Sequence, residues 1–103
     1  MDYSSGMEII QSNTFKDWFA SLRDRQAKAR ISARIRRASL GNFGDMKSIR
    51  EGLLEMRIDY GPGYRLYCIR KGQIIIVLLS GGDKRSQSAD IEKALTLAKE
   101  WRD

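Results

Sequence analysis

No histidine occurs in this chain, and its 103 residues include a single cysteine and a single proline. Without histidine the chain lacks the side chain most often used as a general base near neutral pH, and the commonest metal ligand. Its one cysteine, Cys68, can form no internal disulfide and leaves a zinc site without donors. A reducing compartment, the cytoplasm, is therefore expected, with no cofactor and no metal. Long apolar runs are lacking too. The longest, Ile74 to Leu79, is far short of the roughly 20 residues a bilayer span requires. The first residues show no basic and then apolar leader pattern, so no membrane partner is expected. Acidic residues are also in the minority, 13 against 19 Lys and Arg, for a net charge of +6. Any catalysis must then rest on Arg, Lys, Asp, Glu, Tyr or the backbone.

What is present suffices for one core. Apolar residues make up 42% of the chain, which argues for a folded domain and against disorder. Residues 1–6 read as a flexible extension and 7–103 as a single domain. Met7 to Gln11 is short and β-prone, a first strand. Ser12, Asn13 or Thr14 can cap the helix that follows, in which Phe15, Trp18, Phe19 and Leu22 recur at helical spacing. After the polar break Arg23-Asp24-Arg25, a second helix runs to about Leu40-Gly41, with Ala27, Ile31, Ile35 and Ala38 on one stripe. Three strands follow, at Leu53–Ile58, Tyr64–Arg70 and Gln73–Ser80, the last apolar on both faces. Asp59 to Gly63 and Lys71-Gly72 supply the turns between them. A last helix starts near Ser88 and carries Ile91, Ala94, Leu95, Ala98 and Trp101. The class expected is α+β: an N-terminal helical hairpin packed on one face of a small, mainly antiparallel twisted sheet, with a C-terminal helix.

Basic residues gather in two places. On the second helix Arg30, Arg34 and Arg37 share a stripe with almost no acids between them, so the i,i+4 pairs that neutralise such a face are missing. That stripe is either a solvated helix face or a contact for a polyanion, held through phosphates and without sequence specificity. The second place is the stretch from Glu51 to Gln87. Arg57 and Arg65 fall on neighbouring strands, positioned to share the sheet face that the helices leave uncovered, and Lys84 and Arg85 follow the glycine pair Gly81-Gly82. The orphan N–H groups of the last helix would add positive potential there. A cluster of this kind suits a phosphate or an anionic transition state. The alternative is that each arginine simply pairs with an acid such as Glu55, Asp59 or Asp83. Gly81-Gly82-Asp83-Lys84 lacks the GxxxxGK[ST] spacing and is not a nucleotide-binding P-loop.

Residues 55–94, EMRIDYGPGYRLYCIRKGQIIIVLLSGGDKRSQSADIEKA, resemble the C-terminal half of the RelE/ParE toxin superfamily, in its HigB-like addiction module killer branch. The resemblance is carried by Gly61-Pro62-Gly63-Tyr64-Arg65 with Tyr67, and by Gly82-Asp83-Lys84 with Gln87, Asp90 and Ile91. It extends more generically over residues 7–101. It implies a RelE-like fold and the toxin of a type II toxin–antitoxin pair. The expected partners are a helix-turn-helix antitoxin of HigA-like kind, the ribosome and mRNA. The activity implied is ribosome-dependent, metal-independent mRNA cleavage by the RNA 2′-hydroxyl. Arg65 and Arg57 would stabilise the phosphate, and Lys84, amid arginines, would act as base. Arg85, Tyr67, Gln87, Arg30, Arg34 and Arg37 are the expected substrate-binding residues. Where some members carry Tyr or His at the start of the last helix, this chain has Ser88-Ala89-Asp90-Ile91, and the general acid is unassigned. A ParE-like toxin that inhibits DNA gyrase without cleaving anything, and a noncatalytic basic RNA-binding module, are the alternatives.

Overall fold

A strand that is apolar on both faces must be covered on both, and two strands of this chain are of that kind. The computed structural model describes residues 6–73 and 75–102, so residues 1–5 of the expected extension lie outside the described residues. In chain order the elements are β1 (Glu8–Gln11), α1 (Asn13–Ser21), α2 (Arg25–Ser39), β2 (Met46–Ser48), β3 (Leu54–Ile58), β4 (Tyr64–Lys71), β5 (Ile75–Gly82), a short 3-10 turn (Lys84–Ser86) and α3 (Gln87–Trp101). The strands form one sheet in the order β1-β5-β4-β3-β2. β1 runs parallel to β5, and the other pairs are antiparallel.

Alternation along the strands separates two cores. Met56, Ile58, Tyr64, Leu66, Cys68, Ile76 and Leu78 pack with Phe15 of α1 and Ala27, Ile31 and Ala38 of α2. On the opposite face Leu53, Tyr67, Ile69, Val77 and Leu79 pack with Ala94, Leu95 and Ala98 of α3. Regular alternation along Leu53–Ile58 puts Leu54, Met56 and Ile58 on the first face and Leu53, with Glu55 and Arg57, on the second. The layers are therefore helix, sheet, helix.

This arrangement corrects the expected architecture. An N-terminal helical hairpin on a mainly antiparallel sheet is not what forms. The chain opens with a strand that becomes a parallel edge, so the sheet is mixed. α1 lies chiefly against β5, and α2 lies against β1 and β3, so each helix is seated by the sheet more than by the other. The third layer follows from β4 and β5, whose α3-side residues would otherwise face water. The strand β2 is a further element that the sequence does not announce; it has three residues, two of them exposed, too few for alternation to register.

Local signals set the helix starts. The Ser12 Oγ accepts from the N–H of Phe15 at 3.0 Å and donates to the Leu79 carbonyl at 2.7 Å, which caps α1 and fixes it to β5 together. The Asp24 carboxylate accepts from the N–H groups of Gln26 and Ala27, capping α2. α3 begins at Gln87, one residue before the cap expected at Ser88.

In the β4–β5 pairing Tyr67 lies opposite Ser80 and Cys68 opposite Leu78, which leaves Leu79 as the extra residue of a bulge. Beyond it the glycine pair is clasped from both sides. A Cβ on Gly81 would lie 2.3 Å from the Trp18 ring, and one on Gly82 would lie 1.8 Å from the Asp90 carboxylate. Gly81→Ala is expected to lower stability by about 1–3 kcal/mol in chemical denaturation, because the indole is a rigid obstacle in a packed layer. The thiol of Cys68 supplies a second check. Burial pushes it up to about 12. At pH 8 a thiol reagent should label the native protein only as fast as it unfolds, with rapid labelling once denaturant is added; fast labelling of the native state would contradict this core.

Candidate functional site

The turn between β3 and β4 places one end of the site. Gly61 and Gly63 take positive φ, +57° and +83°, either side of Pro62, and the Gly63 N–H donates to the Tyr60 carbonyl at 3.1 Å. At the mouth of this hairpin Arg57 and Arg65 are direct cross-strand partners. β5 ends beside β4, with Gly82 opposite Arg65, and the 3-10 turn then carries Lys84 to the same end of the sheet. Asp83 shapes that turn by accepting from the N–H of Arg85 at 2.9 Å. Gly63 is the point of close approach: a Cβ there would lie 3.6 Å from the Lys84 Cβ and 3.7 Å from the Arg65 Nη1.

The result is a cleft of about 360 Å³ lined by Asp45, Arg57, Ile58, Asp59, Gly63, Tyr64, Arg65 and Lys84. Three cations from β3, β4 and the turn after β5 thus meet in one depression. Two of them are paired. Arg57 contacts the Asp45 carboxylate at 3.3 Å, with both side chains about half exposed. Arg65 faces the Glu55 carboxylate at 3.6 Å, with side chains 11% and 0% exposed, and its Nη1 donates to the Gly63 carbonyl at 3.2 Å. Lys84, which is exposed, has no ion-pair or hydrogen-bond partner among the described residues. Arg57 and Arg65 do share a sheet face, but it is the face that α3 covers. The cleft exists because α3 starts at Gln87 and leaves the strand ends bare.

The remaining expected residues are scattered by the fold. Tyr67 is fully buried on the α3 side, so its ring has no free face for stacking on a base. Burial first, and then the Glu55 charge, raise its phenol above the ordinary value and keep it neutral. Gln87 turns inward and donates from Nε2 to the Glu55 Oε2 at 2.9 Å. Arg85 is 86% exposed, pairs with Asp83 and is not among the residues lining the cleft.

On α2 the three arginines part company. Arg34 is buried and donates to the carbonyls of Arg57, Phe43 (2.8 Å) and Asp45 (3.1 Å). Burial, then the charge of Arg37, lower its guanidinium from the usual value. It fastens the segment bearing Asp45 to the strand bearing Arg57. Arg30 and Arg37 stay exposed, and Arg30 stacks on the Tyr60 ring, 4.6 Å from its centroid. With Ala33 and Arg34 they line a smaller depression of about 250 Å³ that shares Ile58 and Asp59 with the main cleft.

Of the acids expected as possible partners of the arginines, Glu55 does pair with Arg65; the sequence did not single out Asp45 as the partner of Arg57, nor Gln87 as a partner of Glu55. For Glu55 the signal was there: a carboxylate in a strand, on the face of Leu53 and Arg57, has to find a cation if that face is buried. Asp45 gave none, because its loop meets β3 only in the folded chain.

No protein-family model matches the chain. An uncharacterized protein of Haemophilus influenzae is 46% identical over 94 residues, covering 91% of this chain and 95% of that protein. This chain belongs to that protein's family. A chain of the RelBE2 toxin–antitoxin complex of Mycobacterium tuberculosis superposes with a TM-score of 0.61 at 18% identity, covering 77% of this chain and 99% of its own length. The two share the RelE-like fold. No helix among the described residues is long and apolar enough to cross a membrane.

The division of labour on α2 can be measured. Arg34→Met should cost about 2–4 kcal/mol, since it leaves three carbonyls without their charged donor. Arg30→Ala and Arg37→Ala should each stay within about 1 kcal/mol of the parent in the same denaturation assay. Equal effects at all three positions would refute the structural role given to Arg34.

Proposed function

We propose that this chain is the toxin of a type II toxin–antitoxin pair of the HigB-like kind, a ribosome-dependent endoribonuclease that cuts mRNA in the cytoplasm. The observation that carries this reading is the meeting of Arg57, Arg65 and Lys84 in one cleft on a RelE-like fold. Its partner would be a helix-turn-helix antitoxin, as the resemblance in residues 55–94 implies. The fold neighbour, itself part of a toxin–antitoxin complex, supports an antitoxin partner of some kind.

In the proposed reaction the RNA 2′-hydroxyl attacks the adjacent phosphorus. The 2′-oxygen bond to phosphorus forms and the bond to the 5′-oxygen breaks; the 5′-oxygen takes a proton from solvent and leaves as the 5′-hydroxyl of the downstream fragment, and a 2′,3′-cyclic phosphate remains. Lys84, without an ion-pair or hydrogen-bond partner among the described residues, takes the 2′-hydroxyl proton; Arg65 and Arg57 face the charge that builds on the phosphoryl oxygens. The pair between Arg57 and Asp45 does not obstruct this. An exposed ion pair is worth roughly 0–1 kcal/mol, so a phosphate can take the place of Asp45. Arg30 and Arg37, beside the cleft, would hold flanking backbone phosphates or ribosomal RNA. The chemistry asks for no metal, and no group of three His, Cys, Asp or Glu side chains able to hold one occurs among the described residues.

Induction of the wild-type chain should stop growth with mRNA cut on the ribosome, and purified protein should cut mRNA on programmed ribosomes but not free RNA. Arg65→Ala and Lys84→Ala should each lower the cleavage rate at least a hundredfold with the fold retained, as judged by Cys68 protection. Arrest of replication without mRNA cleavage would overturn the nuclease reading in favour of gyrase inhibition. Full toxicity of the double variant would remove the cleft from the mechanism.

A further inference from the structure

A single row of side chains crosses the sheet beneath the start of α3. Glu55 of β3 lies opposite Tyr67 of β4, and Tyr67 lies opposite Ser80 of β5. All three residues are buried, at 0%, 0% and 2% exposure. Each also keeps a polar atom without a hydrogen-bond partner of normal geometry among the described residues: the Glu55 Oε1, the Tyr67 Oη and the Ser80 Oγ. Besides burial, the Glu55 charge and a side-chain interaction of hydrogen-bonding kind with its carboxylate both raise the Tyr67 phenol, so the hydroxyl lies close to Glu55, although no bond of normal geometry joins them.

A row so incompletely satisfied is a poor device for stability. Burying a carboxylate is costly even when paired, and a well-packed apolar side chain in its place generally serves the fold as well or better. What Glu55 does have is aim. Its Oε2 is held by the Gln87 side chain at 2.9 Å and faces the Arg65 Nε at 3.6 Å. That nitrogen is itself buried and has no hydrogen-bond partner among the described residues. The Arg65 Nη1 is held at the Gly63 carbonyl, and the guanidinium lies at the wall of the cleft. Gln87 opens α3 and Gly63 closes the hairpin turn, so the guanidinium is referred to three separate elements at once.

We propose that Glu55 is a positioning residue: it fixes the guanidinium of Arg65 from the buried side while Gln87 fixes Glu55 in turn. This rests on the nuclease reading above and deepens it, since Arg65 is there the group that meets the phosphoryl oxygens. Glu55 touches no substrate. It acts by removing the freedom of a long side chain whose tip must be placed within a fraction of an ångström. A paired arginine anchored through Nε still presents its outer nitrogens to a phosphate.

The test compares wild type with Glu55→Gln, which keeps shape and a hydrogen-bond acceptor for Gln87 but removes the charge. Two quantities are read: the NMR resonance and solvent exchange of the Arg65 Nε–H in the free protein, and single-turnover mRNA cleavage on programmed ribosomes. In the variant the Nε–H should move toward the position of exposed arginines and exchange at least tenfold faster. The maximal cleavage rate should fall roughly tenfold to a hundredfold, with the half-saturating protein concentration changed less than about threefold. An unmoved Nε–H in a folded variant, or a shifted Nε–H with an undiminished cleavage rate, would overturn the proposal. Should Glu55→Gln fail to fold, Gln87→Leu takes its place: it frees the Glu55 carboxylate without unpairing a charge, and must shift the same resonance and slow the same step. If wild-type protein cuts no mRNA, the nuclease reading falls, and the Arg65 resonance alone then decides whether Glu55 holds Arg65.

Discussion

The apolar character of β4 and β5 on both faces is the constraint from which the architecture follows. One face takes Phe15 of α1 and the Ala27, Ile31 and Ala38 stripe of α2; the other takes the Ala94, Leu95 and Ala98 stripe of α3. Neither layer can be removed without exposing large apolar side chains, each worth roughly 1.5–3 kcal/mol of burial. The layers also close on the end of β5, where only glycine fits between Trp18 and Asp90. That closure sets where β5 must stop and where the 3-10 turn carrying Lys84 must begin.

The cleft is the part of the sheet that this covering leaves open. α3 spans the middle of its face and starts only at Gln87, so the α3-side residues near the hairpin, Arg57 and Arg65, have no helix above them. Their surroundings are graded. Arg57 pairs with an exposed carboxylate that a phosphate can displace, while Arg65 pairs with a wholly buried one that it cannot. Lys84 has neither. The three cations therefore differ in freedom: Arg65 is fixed by a buried pair, Arg57 is held by an exposed one, and Lys84 has no ion-pair partner among the described residues.

Arg34 shows how a basic stripe can be divided by packing. Arg30, Arg34 and Arg37 are alike in spacing, but the loop after α2 folds back over Arg34 and gives it three carbonyls. It holds Asp45 and Arg57 in register and leaves the exposed charge to its neighbours. The same logic separates the tyrosines and glutamines of the site. Tyr67 and Gln87 carry groups able to touch RNA, yet the sheet and α3 spend them on the floor beneath Arg65.

By itself the sequence determined what local chemistry determines. The strand and helix periods, a cap for the first helix among Ser12, Asn13 and Thr14, the break at Arg23-Asp24-Arg25 and the Gly61-Pro62-Gly63 turn are short-range, and so is the alternation that puts Leu53, Glu55 and Arg57 on one face. Tertiary structure decided what depends on pairings distant in sequence. It made β1 a parallel edge beside β5, a partner some 67 residues away, and so mixed a sheet that local hairpin signals had described as mainly antiparallel. It put helices on both faces, because a strand apolar on both sides says that it must be covered but not by what. It also chose which charges remained available. Burial and pairing are properties of a neighbourhood, and the partners of Arg34, Arg57 and Arg65 that fix their surroundings lie 10 to 23 residues away, across loops and strands that only the fold brings together.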